Sequence, residues 1–283
     1  MPNPSPAPVV VGVTGTSAGL AAVRLAAREA VSRARELRIV HAFTWSHPRI
    51  EQSSDRARRA ASQVVDAAVA TAQRSTPGVR VSGQLVDGLG DRVLLRLGRT
   101  AELLVLGDDD LATLPWLPSG SVLVQTVARA WCPVLVARGP RPQAGPILAA
   151  VDGSQCSLLA LRQAAEESAR RNVGVVVVHV VEQPGPGAER KGREVLDRSV
   201  AAVPELVDFK VRLLAGAVAP TLIRASGRAR VTVLGPRGMH DDGLLGSVAR
   251  TVLRRAGSPT LFAHGRPVPT QRVPAQPRPA LVR

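Results

Sequence analysis

The chain has no tyrosine, three phenylalanines and three tryptophans among 283 residues, so any core must be built from Ala, Val and Leu. An aliphatic core of that kind suits parallel sheets covered by alanine-rich helices. Lysine is scarce as well: Lys191 and Lys210 are the only two, and arginine carries nearly all the basic charge. No aromatics are interleaved with those arginines, which argues against a stacking platform for single-stranded nucleic acid. The two cysteines, Cys132 and Cys156, have no companion at ligand spacing and are read as small buried thiols, not as a disulfide, metal site or nucleophile. No apolar run approaches the roughly 20 residues that a bilayer crossing needs. The opening Met1-Pro2-Asn3-Pro4 also lacks a basic-then-apolar export pattern, so a cytoplasmic protein without a membrane segment is expected.

What the chain does have is positive charge and an internal repeat. The net charge is +15, from 37 basic and 22 acidic residues. Residues 1–143 carry 17 basic and 11 acidic groups, residues 144–264 carry 16 and 11, and the last 19 residues carry four arginines and no acid. Counted along the chain the charge is spread, which argues for a solvated basic surface over specific nucleic-acid binding.

Aligning Thr14 with Asp152, a shift of 138, brings Gly15 onto Gly153, Thr16 onto Ser154 and Leu20 onto Leu158. The same register places Ala26-Ala27 on Ala164-Ala165, Glu29 on Glu167 and Val40-His41 on Val178-His179. Further on the shift becomes 128, matching Leu106-Gly107 with Leu234-Gly235, and then 126, matching Gly120-Ser121-Val122 with Gly246-Ser247-Val248. Deletions in loops or in the second helix account for the drift. Self-similarity over more than a hundred residues means duplicated domains, since solenoid repeats are much shorter. The division expected is an N-terminal extension (1–7), a first domain (8–138), a Pro/Gly-rich linker (139–145), a second domain (146–264) and an Arg/Pro-rich tail (265–283) with the composition of a disordered segment.

Each copy opens with an apolar strand, Val9 to Val13 or Ile147 to Val151, then a glycine turn and an Ala/Leu-rich helix, Leu20 to Arg35 or Leu158 to Arg171. Strands and helices continue to alternate through short loops, giving five strands and four helices per copy. That pattern predicts two tandem doubly wound α/β units, each with a five-stranded parallel sheet and helices on both faces. If the strand order is 3-2-1-4-5, the ligand crevice lies where the winding reverses, between the first and fourth strands. In the second copy those strands end at Asp152-Gly153-Ser154 and Gly235-Pro236-Arg237-Gly238. Glycines there let backbone approach a phosphate, and Gly246-Ser247-Val248 opens a helix whose free amides face it.

Asp-Gly-Ser after the first strand, Leu-Gly-x-x-Gly after the fourth, then Gly-Ser-Val and Pro-Val-Leu-Val resemble the universal stress protein family, over residues 8–138 and 146–264. The resemblance implies an adenine nucleotide α-hydrolase-like arrangement and a stress-associated regulator that binds ATP or another adenine nucleotide, with or without Mg²⁺, and at most hydrolyses it slowly. Carried onto this sequence, the binding residues are Asp152, Gly153, Ser154, Gly235, Gly238, Gly246, Ser247 and Val248. The loop from Met239 to Leu245 is seven residues long where the family pattern has nine. In the first copy Thr14 replaces the aspartate, and Asp108-Asp109-Asp110 stands where the second has Pro236-Arg237-Gly238. Carboxylates facing a triphosphate repel it, so that site is expected to be empty and the nucleotide to bind in the second domain only. The resemblance also implies that Val134 to Val136 and Thr260 to Phe262 pair antiparallel in an intramolecular pseudo-dimer, with a homodimer left open.

His41 and His179 are read as packing residues, and His240 with Asp241-Asp242 as a surface loop. No nucleophile or ordered triad accompanies them, so no catalytic residue is assigned. The acidic triplet is read as a solvated loop in preference to a Mg²⁺ site. The competing reading is a nucleotide-free interaction module that uses its basic surface.

Overall fold

The computed structural model describes residues 6–44, 51–109, 111, 118–139, 144–239 and 244–265. Most of the linker (140–143), the tail from 266, Asp110 and the His240–Asp242 motif lie outside the described residues.

The first half runs β1 (Val9–Gly12), α1 (Ser17–Ser32), β2 (Leu37–Phe43), α2 (Glu51–Ser75), β3 (Val81–Asp87), α3 (Gly90–Leu97), β4 (Leu103–Leu106), α4 (Val122–Arg129) and β5 (Val134–Val136). The second half runs β6 (Ile147–Ala150), α5 (Gln155–Arg171), β7 (Val175–Val181), α6 (Pro186–Ala201), β8 (Phe209–Ala215), α7 (Val218–Ser226), β9 (Val231–Leu234), α8 (Ser247–Arg255) and β10 (Thr260–Phe262). The drift in repeat register has its main source here, since α2 has 25 residues and α6 only 16.

Helix α1 begins three residues before the expected Leu20. Thr16 takes the N-cap position and its hydroxyl accepts from the Gly19 amide, at 3.1 Å, which satisfies one of the donors that a helix start leaves unpaired. Ser154 caps α5 in the same way through the Ser157 amide, at 3.2 Å. Before each cap a glycine turns in the left-handed region, Gly15 at φ +79° and Gly153 at φ +84°, where a side chain would be strained.

The strand order is β3-β2-β1-β4-β5-β10-β9-β6-β7-β8. All pairs are parallel except β5 with β10, where Val134, Leu135 and Val136 face Phe262, Leu261 and Thr260 antiparallel. The sequence reading counts two sheets; bonding at this seam makes them one ten-stranded sheet in which each half keeps the 3-2-1-4-5 order. The seam also removes what would otherwise be two open strand edges.

Alternation along the strands builds a core on each face. Val9, Val11, Ile39, Leu103 and Val105 with their repeats in the second half pack under α1, α2, α5 and α6. Val10, Val40, Leu104 and Leu106 with theirs pack under α3, α4, α7 and α8. Each fully buried Leu, such as Leu103 or Leu104, stabilises the fold by roughly 1.5–3 kcal/mol.

Side chains cross the seam on both faces. Arg138, just past β5, donates to the Leu253 carbonyl near the end of α8, and His264, just past β10, donates from Nε2 to the Val127 carbonyl of α4 at 2.7 Å. The two bonds are repeats of one another, since 138 and 127 shifted by 126 give 264 and 253. On the opposite face, Glu29 of α1 and Arg33 at its C-cap meet Glu167, Arg170 and Arg171 of α5 in an ionic cluster around two buried carboxylates.

Candidate functional site

In the second half, a cavity of about 410 Å³ lies at the carboxyl ends of the paired strands β6 and β9. Asp152, Ser157, His179, Leu222, Gly235, Arg237, Gly238, Met239, Ser247 and Val248 are among its lining residues. Of the residues expected from sequence, Asp152, Gly235, Gly238, Ser247 and Val248 thus come together around one space. Gly153, Ser154 and Gly246 do not line it; they form the turns and caps that hold its walls.

Asp152 ties the two walls together. Its Oδ1 accepts from the Ser154 amide at 2.9 Å, and its Oδ2 accepts from the Met239 amide, in the loop after β9, at 3.0 Å. Partial burial would raise its pKa. Hydrogen bonds from the Ser154 hydroxyl and amide, the Ser157 hydroxyl and the Met239 amide outweigh that and hold the carboxyl below the usual aspartate value. Asp152 is therefore an anion that fixes the loop after β9 against the start of α5.

Gly235 is required by close approach. A Cβ there would lie 2.7 Å from the Cys156 Cβ and 3.0 Å from the Cys156 carbonyl carbon, so only glycine lets β9 leave the sheet beneath α5. Gly107 has the same constraint against Ala18 in the first half. Beyond it the Gly246 amide donates to the Pro236 carbonyl at 2.9 Å, which closes the base of the shortened loop. Helix α8 then starts with Gly246 at its N-cap, a residue with no side chain to cap it, and among the described residues no side-chain cap bond takes up its first amides.

The first half has a smaller cavity, about 250 Å³, lined by Gly12, Thr14, His41, Leu94, Gly107, Asp109 and Val122 among others. Its chemistry is inverted. Thr14 stands at the Asp152 position and Asp109 at the Arg237 position of the repeat. Thr14 donates to Asp109 Oδ2 at 2.8 Å, and the Thr16 hydroxyl donates to Oδ1. A carboxylate still joins the loop after the fourth strand to the start of the first helix, but it comes from the opposite wall. Asp108 points elsewhere, to Arg138 at 3.2 Å, so the two do not converge on a cation. Among the described residues no group of three or more His, Cys, Asp or Glu is placed to hold a metal. Here α4 is capped by its own side chain, Ser121 accepting from the Val124 amide at 3.2 Å.

His41 and His179 occupy equivalent places. Each donates from Nδ1 to the backbone carbonyl at the end of its half's first strand, Val13 at 2.7 Å and Val151 at 2.8 Å. They pack against the sheet as expected, and each also lines its cavity, which leaves Nε2 as the other ring nitrogen of a wall residue. Sequence reasoning missed His179, Ser157, Leu222 and Met239 as wall residues; the His41/His179 match was the one clue to any of them. Cys132 is buried, and burial pushes its thiol up to about 12, while Cys156 is half-buried beside Gly235; both thiols are free.

A duplicated doubly wound α/β protein with a crevice at each switch point is the class that this fold and these sites define. The model of the Universal stress protein family matches residues 7–138 and 144–264. Universal stress protein Rv2005c of Mycobacterium tuberculosis (strain ATCC 25618 / H37Rv) is 32% identical over 288 residues, covering 90% of this chain and 96% of the relative. Universal stress protein Rv2623 of the same strain is 29% identical over 285 residues, covering 90% and 95%. The crystal structure of a universal stress protein from Archaeoglobus fulgidus DSM 4304 has the same fold, with a TM-score of 0.69 at 15% identity over 91% of this chain and 96% of that one. The chain belongs to the universal stress protein family, as a member with two tandem domains. Among its described residues no helix is long and apolar enough to cross a membrane.

Proposed function

We propose that this protein is a cytoplasmic stress-response regulator that binds ATP or another adenine nucleotide, alone or with Mg²⁺, in the crevice of its second domain only. The two domains are taken as residues 8–138 and 146–264, with the linker at 139–145. The reading rests on one contrast between equivalent loops. At the mouth of the second crevice a guanidinium, Arg237, and the start of α8, whose N-cap Gly246 has no side chain of its own, stand where the first has a carboxylate, Asp109, and a helix capped by Ser121.

Each residue has a role in that reading. Gly235 and Gly238 let the chain pass close to a phosphate, and the amides of Ser247 and Val248, with the Ser247 hydroxyl, donate to its oxygens. Asp152, held as an anion, positions the Met239 segment, and Gly153 and Ser154 shape the turn beneath it. Apolar wall residues such as Leu222 and Val248 receive the base. No side chain is assigned a chemical step.

Equilibrium titration of the purified protein with ATP and Mg²⁺ tests the proposal when run beside a Gly238→Asp variant. That substitution places in the second loop a carboxylate at the position that Asp110 holds in the first sequence repeat, next to that of Asp109. Affinity is expected to fall by at least about tenfold, or 1.4 kcal/mol. Equal affinity in the two proteins, or binding in neither, would remove the nucleotide reading.

A further inference from the structure

Charge that is spread along the sequence is not spread over the folded surface. Helices α3, α4, α7 and α8 cover one face of the sheet and together carry seven arginines and one acid, Asp91. Helices α1, α2, α5 and α6 cover the other face and carry thirteen basic and nine acidic residues. Duplication is part of the cause, because Arg96 and Arg129 of the first half recur as Arg224 and Arg255 of the second. All four are exposed, as are Arg92, Arg99 and Arg228 beside them.

We infer that this arginine-rich face is a docking surface for double-stranded nucleic acid, bound through its phosphates without regard to sequence. Three features select that partner. Guanidinium forks match phosphate oxygens two by two, and every cation on these four helices is an arginine. The antiparallel seam relates the halves by an approximate two-fold axis, so the Arg96/Arg129 and Arg224/Arg255 pairs run in opposite senses, as the two strands of a duplex do. The apolar sides of the four helices are turned into the core beneath them, which leaves, among the described residues, no broad apolar face to enter a bilayer. Trp131, 65% exposed, has the Arg99 guanidinium 5.6 Å from its ring centre. Side-on helices cannot enter a groove to read base edges, so the contact is confined to the backbone.

The test is fluorescence anisotropy of a labelled mixed-sequence duplex against the full chain over about 50 to 200 mM salt. Two quartets are compared with wild type: Arg96, Arg129, Arg224 and Arg255→Gln on the proposed face, and Arg59, Arg190, Arg193 and Arg198→Gln on the other. Each removes the same charge. A wild-type affinity that falls steeply with salt is expected. The first quartet should flatten the log–log slope by about 3.6, since each of the four lost phosphate contacts removes about 0.9. The second should leave the slope unchanged. If thermal melting shows that the first quartet is unfolded, the pair Arg129→Gln and Arg255→Gln is used instead, with about half that change expected. Equal effects from both quartets, no binding at the lowest salt, or tighter binding to phosphatidylserine vesicles than to the duplex would each overturn the inference.

Discussion

Arg171 of the second domain holds Glu167 at 2.8 Å on its own helix and Glu29 of the first domain at 2.5 Å. Arg33, its counterpart in the repeat, holds Glu29 at 3.3 Å and reaches across to Glu167 at 2.5 Å. Each arginine thus bridges its own helix and the other domain, and Arg170 adds a third guanidinium to the cluster. Both carboxylates are about 1% exposed. Only three residue pairs join β5 to β10, so this cluster and the Arg138 and His264 bonds on the other face hold the seam from two sides.

Removing one carboxylate should therefore be costly. Glu167→Ala leaves three half-buried guanidiniums sharing the buried Glu29, with Glu102 still beside Arg33, and the loss of one partner from a buried ionic group costs about 3–5 kcal/mol. Urea denaturation of the variant and wild type measures it. A change below about 1 kcal/mol would mean that the cluster is screened by water.

Ala34 and Asn172 end α1 and α5 in the left-handed region, at φ 53° and 51°. Asparagine tolerates that conformation and alanine does not, so Ala34 is a strained repeat of a relaxed cap. Ala34→Gly should raise stability by about 0.5–1 kcal/mol, read as a higher denaturation midpoint at constant slope.

His264 gives the domain seam a pH dependence. Burial lowers its pKa to about 4, only partly opposed by its bond to the Val127 carbonyl, and Arg237 lowers it further. Unfolded, the imidazole binds a proton near 6.5. Between these values the unfolded chain carries more protons, so the stability due to His264 is complete above pH 6.5 and is lost as pH falls toward 4. Asp152 and Glu167, both held below their ordinary values, add their own loss at lower pH as they are protonated. His264→Gln should flatten the stability profile between pH 6.5 and 4 while leaving the more acidic limb in place.

Most of the fold is legible in the sequence because the repeat reports it twice. Matched glycines and apolar runs locate the strands, while the 3-2-1-4-5 order comes from the family resemblance, since alternating connections fit other doubly wound orders as well. Helix starts are less legible: Thr16 and Ser154 are polar residues outside the apolar periodicity, and their caps extend the helices by a turn. The ionic cluster is half legible, since Glu29 with Arg33 and Glu167 with Arg171 stand at i,i+4 spacing, but the cross-domain bonds depend on the seam. The exchange of Asp152 for Asp109 between opposite walls is not legible, because a position in a loop does not say which way its side chain turns. A linear charge count hides the basic face for a similar reason: helices that alternate along the chain cover opposite sides of the sheet.

The proposal that one domain only keeps a nucleotide site is tested most directly by calorimetric titration with ATP and Mg²⁺, read for stoichiometry. The account predicts one nucleotide per chain, lost in Gly238→Asp and retained in Asp109→Asn. Two nucleotides per chain, or a single one that vanishes on changing Asp109 but not Gly238, would contradict it.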